Sequence, residues 1–195
     1  MDTEDELKHE GELRHEGEEL KREVQMCCET NCPCCGENCF CMFVLPWLGF
    51  LGLSYAAGWI SSLFVRDATI YWSEAVARPW WMPPQWIFPP VWTVLYFLLG
   101  TAVWLAWRKV GCQKASHVIA LFVTLLILQM GWTYAFFYLQ MPFGAFIDLI
   151  WAFAVLILLA MSIAPISKVG ALLLLPQILW MIYALALNYS IWRMG

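Results

Sequence analysis

Residues Arg78 to Gly100 read RPWWMPPQWIFPPVWTVLYFLLG: five prolines and four tryptophans lead into an apolar run that carries no charge from Pro79 to Trp107. Proline holds the backbone extended and stops a helix, except in a first turn, where its missing N–H had no partner. The pair Pro89-Pro90 is therefore where a helix begins. Trp86 and Trp92, answered by Trp104 and Trp107, bracket the run as a bilayer belt does, because each ring is apolar with one N–H that seeks water or a headgroup. The plainer alternative, a proline-rich loop before a buried soluble helix, does not account for the length of the run. This is a membrane entry segment.

The rest of the chain agrees. It is 62% hydrophobic and 13% charged over 195 residues, where soluble domains carry about a quarter charged. Residues 1–40 hold 12 of the 15 Asp and Glu against 4 Lys and Arg, while all 13 tryptophans follow residue 40. The net charge of −4 thus averages an acidic tail and a membrane body. No basic cluster of nucleic-acid type is present, which excludes that class of partner.

After residue 41 come five apolar stretches, 42–65, 86–107, 118–139, 143–164 and 169–192, each near the ~20 residues that cross ~30 Å of hydrocarbon. Only helices satisfy their backbone there. The expected fold is an all-α integral membrane protein, a five-helix bundle over 42–195 behind a disordered acidic tail. Gln140-Met141-Pro142 and the turn 165–168 make the last three helices antiparallel neighbours. In the first helix, Gly49, Gly52, Ala56, Ala57 and Gly58 allow close helix contact. Residues 66–85 form the one connection long enough to fold over the bundle, and they are the candidate lid. Lys and Arg near the spans are biased to place the N-terminus in the cytosol.

The tail repeats ELKHEG, ELRHEG and EELKRE from Glu6 to Glu23, a composition that favours disorder or a transient helix. It shows neither a secretion signal nor a transit peptide, so neither fate is expected. Cys27, Cys28, Cys32, Cys34, Cys35, Cys39 and Cys41 follow. Their spacing matches no zinc pattern, although so many thiolates suit a soft metal. Their place beside a membrane helix suits S-acylation, and a reduced linker without either is the third reading. A disulfide framework is disfavoured, since nothing indicates an oxidising compartment.

Asp148 is the only charge inside an apolar span, which marks it for ligand contact or an internal hydrogen bond. It also lies in the second turn of its helix, near the favourable end of the dipole. On the fifth helix, Pro176, Trp180, Ala184 and Asn188 recur every four residues with Tyr183 and Leu187 beside them. A large ring, a gap and a polar group make a poor packing ridge and a plausible pocket wall. Leu187, Tyr189 and Arg193 satisfy a proposed cholesterol motif, a permissive pattern. His9, His15 and His117 pair with no nucleophile, and no phosphate loop occurs. No enzyme site is expected.

The stretch Arg78-Pro79-x-Trp81-x-Pro83-Pro84-x-Trp86, continued by Pro90-Val91-Trp92-Thr93-x-Leu95-Tyr96-x-x-x-Gly100, resembles the signature of the translocator protein family, also called the peripheral benzodiazepine receptor or tryptophan-rich sensory protein family. The likeness runs from about Ser61 to Arg193. Gly131 to Phe137 resembles the family's Asn-Trp-x-Trp-Pro segment, and Asp148, Pro176-x-x-x-Trp180 and Leu187-Asn188-Tyr189-x-x-Trp192-Arg193 match in turn. The resemblance implies a five-helix bundle, usually a homodimer, that needs no cofactor. It implies binding of tetrapyrroles such as protoporphyrin or haem, cholesterol or benzodiazepine-type drugs in a pocket closed by the first loop, with translocation of them as the further implied activity. The mitochondrial outer membrane is the implied location, with the N-terminus opposite to the charge bias; ER or Golgi membranes are the alternative. The implied pocket residues are Trp86, Phe88, Trp92, Trp132, Ile147, Trp151, Trp180, Ala184 and Leu187, with Arg78, Pro79, Pro83 and Pro84 shaping the lid. Photo-oxidative tetrapyrrole breakdown, or an interaction scaffold built on the tail, are the rival activities. Gly131 stands where the family has asparagine, Tyr134-Ala135 where it has Trp-Pro, and Gly144 where animal members have tryptophan. These departures bear on ligand preference and not on the fold.

Overall fold

A computed structural model describes residues 40–75 and 79–194, and within them the side chains of 44–65, 79–111 and 115–194. The chain divides at Leu45/Pro46, and the packing below concerns the unit from Pro46 onward. The described elements are helical throughout: α1 (Phe40–Ala75), a 3₁₀ turn (Gln85–Ile87), α2 (Phe88–Lys114), α3 (Ser116–Thr133) with a π-helical turn (Tyr134–Tyr138), α4 (Pro142–Ile163), α5 (Lys168–Leu173) and α6 (Leu175–Met194). Five spans are long and apolar enough to cross a bilayer: Val44–Val65, Gln85–Gly111, Ser116–Tyr138, Pro142–Ile163 and Lys168–Met194. The protein is thus a multi-pass membrane protein, as expected. The acidic tail lies outside the described residues.

Local chemistry sets the element ends. Pro89 and Pro90 occupy the first turn of α2 and Pro142 opens α4, positions that need no N–H donor. Ser167 caps α5 by accepting from the Gly170 N–H at 3.1 Å. Pro176 then divides the fifth span into α5 and α6, since it cannot donate within a continuous ladder. The first helix differs from expectation: α1 continues beyond the apolar span to Ala75. Much of the stretch assigned to the lid is therefore helix, and its described extended part begins at Pro79.

Hydropathy does not orient these helices, because lipid is as apolar as the bundle interior; residue size does. Ala102 and Ala106 of α2 and Ala145 and Ala152 of α4 are fully buried with Leu99, Phe122, Leu125, Leu156, Leu159 and Met181. Leu48, Ile60, Ile127, Ile150, Leu158, Met161 and Leu179 face outward. α4 packs on α3 and α6, and α2 on α3 and α5. α1 meets α2 at Gly58, where an added Cβ would lie 2.6 Å from the Tyr96 ring. Glycine is what permits that approach.

Candidate functional site

Where α1, α2, α3 and α6 diverge they leave a cavity of about 690 Å³, within the range of small-molecule sites. α2 supplies Phe88, Trp92 and Tyr96, α3 supplies Gln129, Trp132 and Thr133, and α6 supplies Trp180, Ala184, Leu187 and Asn188. α1 adds Tyr55, Gly58, Trp59, Ser61, Ser62 and Val65, while Met82 and Gln85 stand at the lid end.

The walls are mostly rings in offset and edge contact. Trp132 stacks on Phe136 at 5.6 Å and lies 6.4 Å from Trp92, which in turn meets Tyr96 at 5.5 Å. Phe88 meets Trp180 edge-on at 5.8 Å, and Trp180 continues to Tyr183 at 5.4 Å. Each such pair contributes about 0.5–1.5 kcal/mol beyond its buried area. The π-helical turn, closed by the Leu139 N–H donating to the Tyr134 carbonyl at 3.0 Å, brings Phe136 and Phe137 to the cavity. Such turns recur at functional sites.

Two polar devices hold the frame. Asn188 is buried; its Oδ1 accepts from Trp132 Nε1 at 3.0 Å and its Nδ2 donates to the Pro142 carbonyl at 2.8 Å. One amide thus ties α6 to α3 and to the start of α4. At the lid, the Trp81 ring meets Tyr183 edge-on at 5.6 Å, and the Tyr183 hydroxyl donates to the Trp81 carbonyl at 3.4 Å. The Met82 N–H donates to the Pro79 carbonyl at 3.0 Å, which turns the segment inward.

Six of the nine residues assigned to the pocket line it: Phe88, Trp92, Trp132, Trp180, Ala184 and Leu187. Three do not. Trp86 is 72% exposed on the 3₁₀ turn, and Ile147 and Trp151 are 41% and 64% exposed on α4. The buried face of α4 runs through Ala145, Leu149, Ala152 and Leu156. Ile147 and Trp151 are each two residues from Leu149, about 200° round the helix, so they point away from it. Asp148 likewise does not line the cavity. Its Oδ2 is buried without a hydrogen-bond partner among the described residues, and its Oδ1 would lie 3.1 Å from a Cβ at Gly131. The small residue at 131 thus leaves room for the carboxylate.

Pro79, Pro83 and Pro84, assigned to the lid, do not line the cavity, and Arg78 lies outside the described residues. The sterol motif divides across α6, with Leu187 buried and Tyr189 and Arg193 exposed. Cys27, Cys28, Cys32, Cys34, Cys35 and Cys39 and the Cys41 side chain lie outside the described residues. Among the described residues no group of three or more His, Cys, Asp or Glu is placed to hold a metal. Reading the sequence missed the α1 wall, Tyr96, Phe136, Phe137 and Gln129. Gln129 carried a usable signal: an amide in the middle of an apolar span turns to the interior.

The family model described as TspO/MBR matches residues 50–193. The chain belongs to the TspO/MBR family. It is 39% identical over 140 residues to the tryptophan-rich protein TspO of Archaeoglobus fulgidus, covering 72% of this chain and 90% of that protein. With the protein of the same name from Chlorobaculum tepidum it shares 35% over 151 residues, 74% and 92% of the two chains. With the human translocator protein it shares 29% over 153 residues, 76% and 90%. The cavity thus lies wholly within the part of the chain that carries TspO/MBR membership, and that membership supports a role in binding ligands in the membrane.

Proposed function

We propose that this TspO/MBR member is a receptor or carrier that holds a planar, largely apolar molecule, a tetrapyrrole such as protoporphyrin or haem, cholesterol, or a benzodiazepine-type drug, in the cavity between α1, α2, α3 and α6. The observation that carries the reading is the cavity itself, about 690 Å³ walled by Phe88, Trp92, Trp132, Phe136 and Trp180. Flat rings stack on such walls, and apolar burial contributes roughly 25 cal/mol per Å². Binding needs no cofactor in this reading, and the Trp81–Met82 segment closes over the ligand. A homodimer in the mitochondrial outer membrane belongs to the same proposal and rests on the family resemblance.

Protoporphyrin is expected to quench the tryptophan fluorescence of the purified protein saturably. Trp180→Ala is expected to raise the half-quenching concentration about tenfold, the loss of one stacking partner worth about 1–1.5 kcal/mol. Equal quenching of the variant and of an unrelated membrane protein refutes the assignment.

A further inference from the structure

Among the polar side chains that line the cavity, most are committed to protein partners. Trp132 Nε1 and both ends of the Asn188 amide are paired, the Thr133 hydroxyl donates to the Gln129 backbone carbonyl at 2.7 Å, and the Tyr55 hydroxyl donates to the Thr93 carbonyl at 3.2 Å. Gln129 differs. It is 2% exposed, it lines the cavity, and neither Oε1 nor Nε2 has a hydrogen-bond partner among the described residues. Gln177 is as deeply buried and as unpartnered, but it lines no part of the cavity. An amide left unpaired in a membrane interior is costly, and a polar group of that kind marks a functional position.

Its depth gives the amide a role. Phe136 belongs to the buried cluster against which Trp81, Met82 and Phe88 pack, and Gln129 precedes it by seven residues, about 10 Å of helix. Gln129 therefore stands at the end away from the lid, where the Tyr96 and Ser61 hydroxyls also line the wall. No described residue that lines the cavity is charged. A carboxylate driven to this end would have no described cation to meet, whereas a neutral group with one donor and one acceptor would satisfy both atoms of the amide.

We propose that the Gln129 amide is the polar anchor of the cavity, and that it selects apolar ligands whose leading end carries one neutral donor–acceptor group such as a hydroxyl or a lactam. This rests on the ligand-binding reading above, and the test separates the two. Protoporphyrin dimethyl ester serves as fluorescence quencher, and cholesterol and its hydroxyl-free counterpart cholestane compete for it in the full-length protein in lipid nanodiscs. The quantity read is the ratio of the two displacing concentrations within each protein, which cancels any effect of a substitution on the quencher.

The unsubstituted protein is expected to prefer cholesterol about tenfold or more, the cost of leaving a buried amide unpaired. In Gln129→Leu and in the closer-shaped Gln129→Met the ratio falls to about one, through tighter binding of cholestane as well as weaker binding of cholesterol. A ratio near one in the unsubstituted protein, or an unchanged preference in both variants, overturns the anchor while the cavity's role as a binding site stands. Absence of saturable quenching in every protein overturns the binding reading itself, and the anchor with it.

Discussion

Ala184→Phe is expected to weaken protoporphyrin binding about a hundredfold while leaving helix content and thermal stability nearly unchanged. Ala184 lines the cavity between Trp180 and Asn188, one helical turn from each. Ala184 packs against the core on one side and lines the cavity on the other, so in the free protein the new ring is expected to turn into the cavity. In the complex it competes for the volume the ligand needs, and forcing extra atoms into filled space costs about 1–3 kcal/mol, up to a hundredfold in affinity. Trp151→Ala is the informative companion. Trp151 is turned out of the cavity on α4, so the midpoint of the quenching curve should stay where it was even though one fluorophore is gone. Undiminished binding by Ala184→Phe, or a large loss in Trp151→Ala, would move the ligand to the outer face of α4.

That pair of substitutions also marks the border between what the sequence discloses and what it withholds. The spans are legible because hydrocarbon demands a length and a composition, and the Pro89-Pro90 start of α2 follows from a proline's missing N–H. The α6 wall is legible because Trp180, Ala184 and Asn188 differ in size and polarity at helical spacing. Which way α4 turns is not, because Ile147 and Trp151 are apolar and so is everything on either side of them. Ala145 and Ala152 hold that information in their size, since small side chains let α4 approach its neighbours. The α1 wall was hidden for a related reason: Gly58 reads as a helix contact, which it is, and the same closeness to Tyr96 leaves Tyr55, Trp59 and Ser62 beside the opening. The π-helical turn at Tyr134–Tyr138 has no pattern in side-chain spacing that announces it.

The second large effect concerns the frame rather than the space. Asn188→Leu, which keeps the number and branching of the side-chain heavy atoms, is expected to lower unfolding stability in mixed micelles by about 2 kcal/mol. Two hydrogen bonds are lost, but their partners do not suffer equally. The Pro142 carbonyl opens α4 and keeps a place in that helix's own ladder, so little is lost there. The Trp132 indole N–H has no such reserve, and an orphaned buried donor costs about 1–3 kcal/mol, more than the ~0.6 kcal/mol typical of hydrogen bonds between membrane helices. The penalty should therefore reside in the stranded N–H. Trp132→Phe removes that donor while leaving a ring in the wall. Made in the Asn188→Leu background it should cost about 1 kcal/mol less than it does alone, a coupling that a double-mutant cycle reads directly. Strict additivity would mean that Asn188 holds the bundle chiefly through Pro142, and that the ring of Trp132 is fixed by its stack on Phe136.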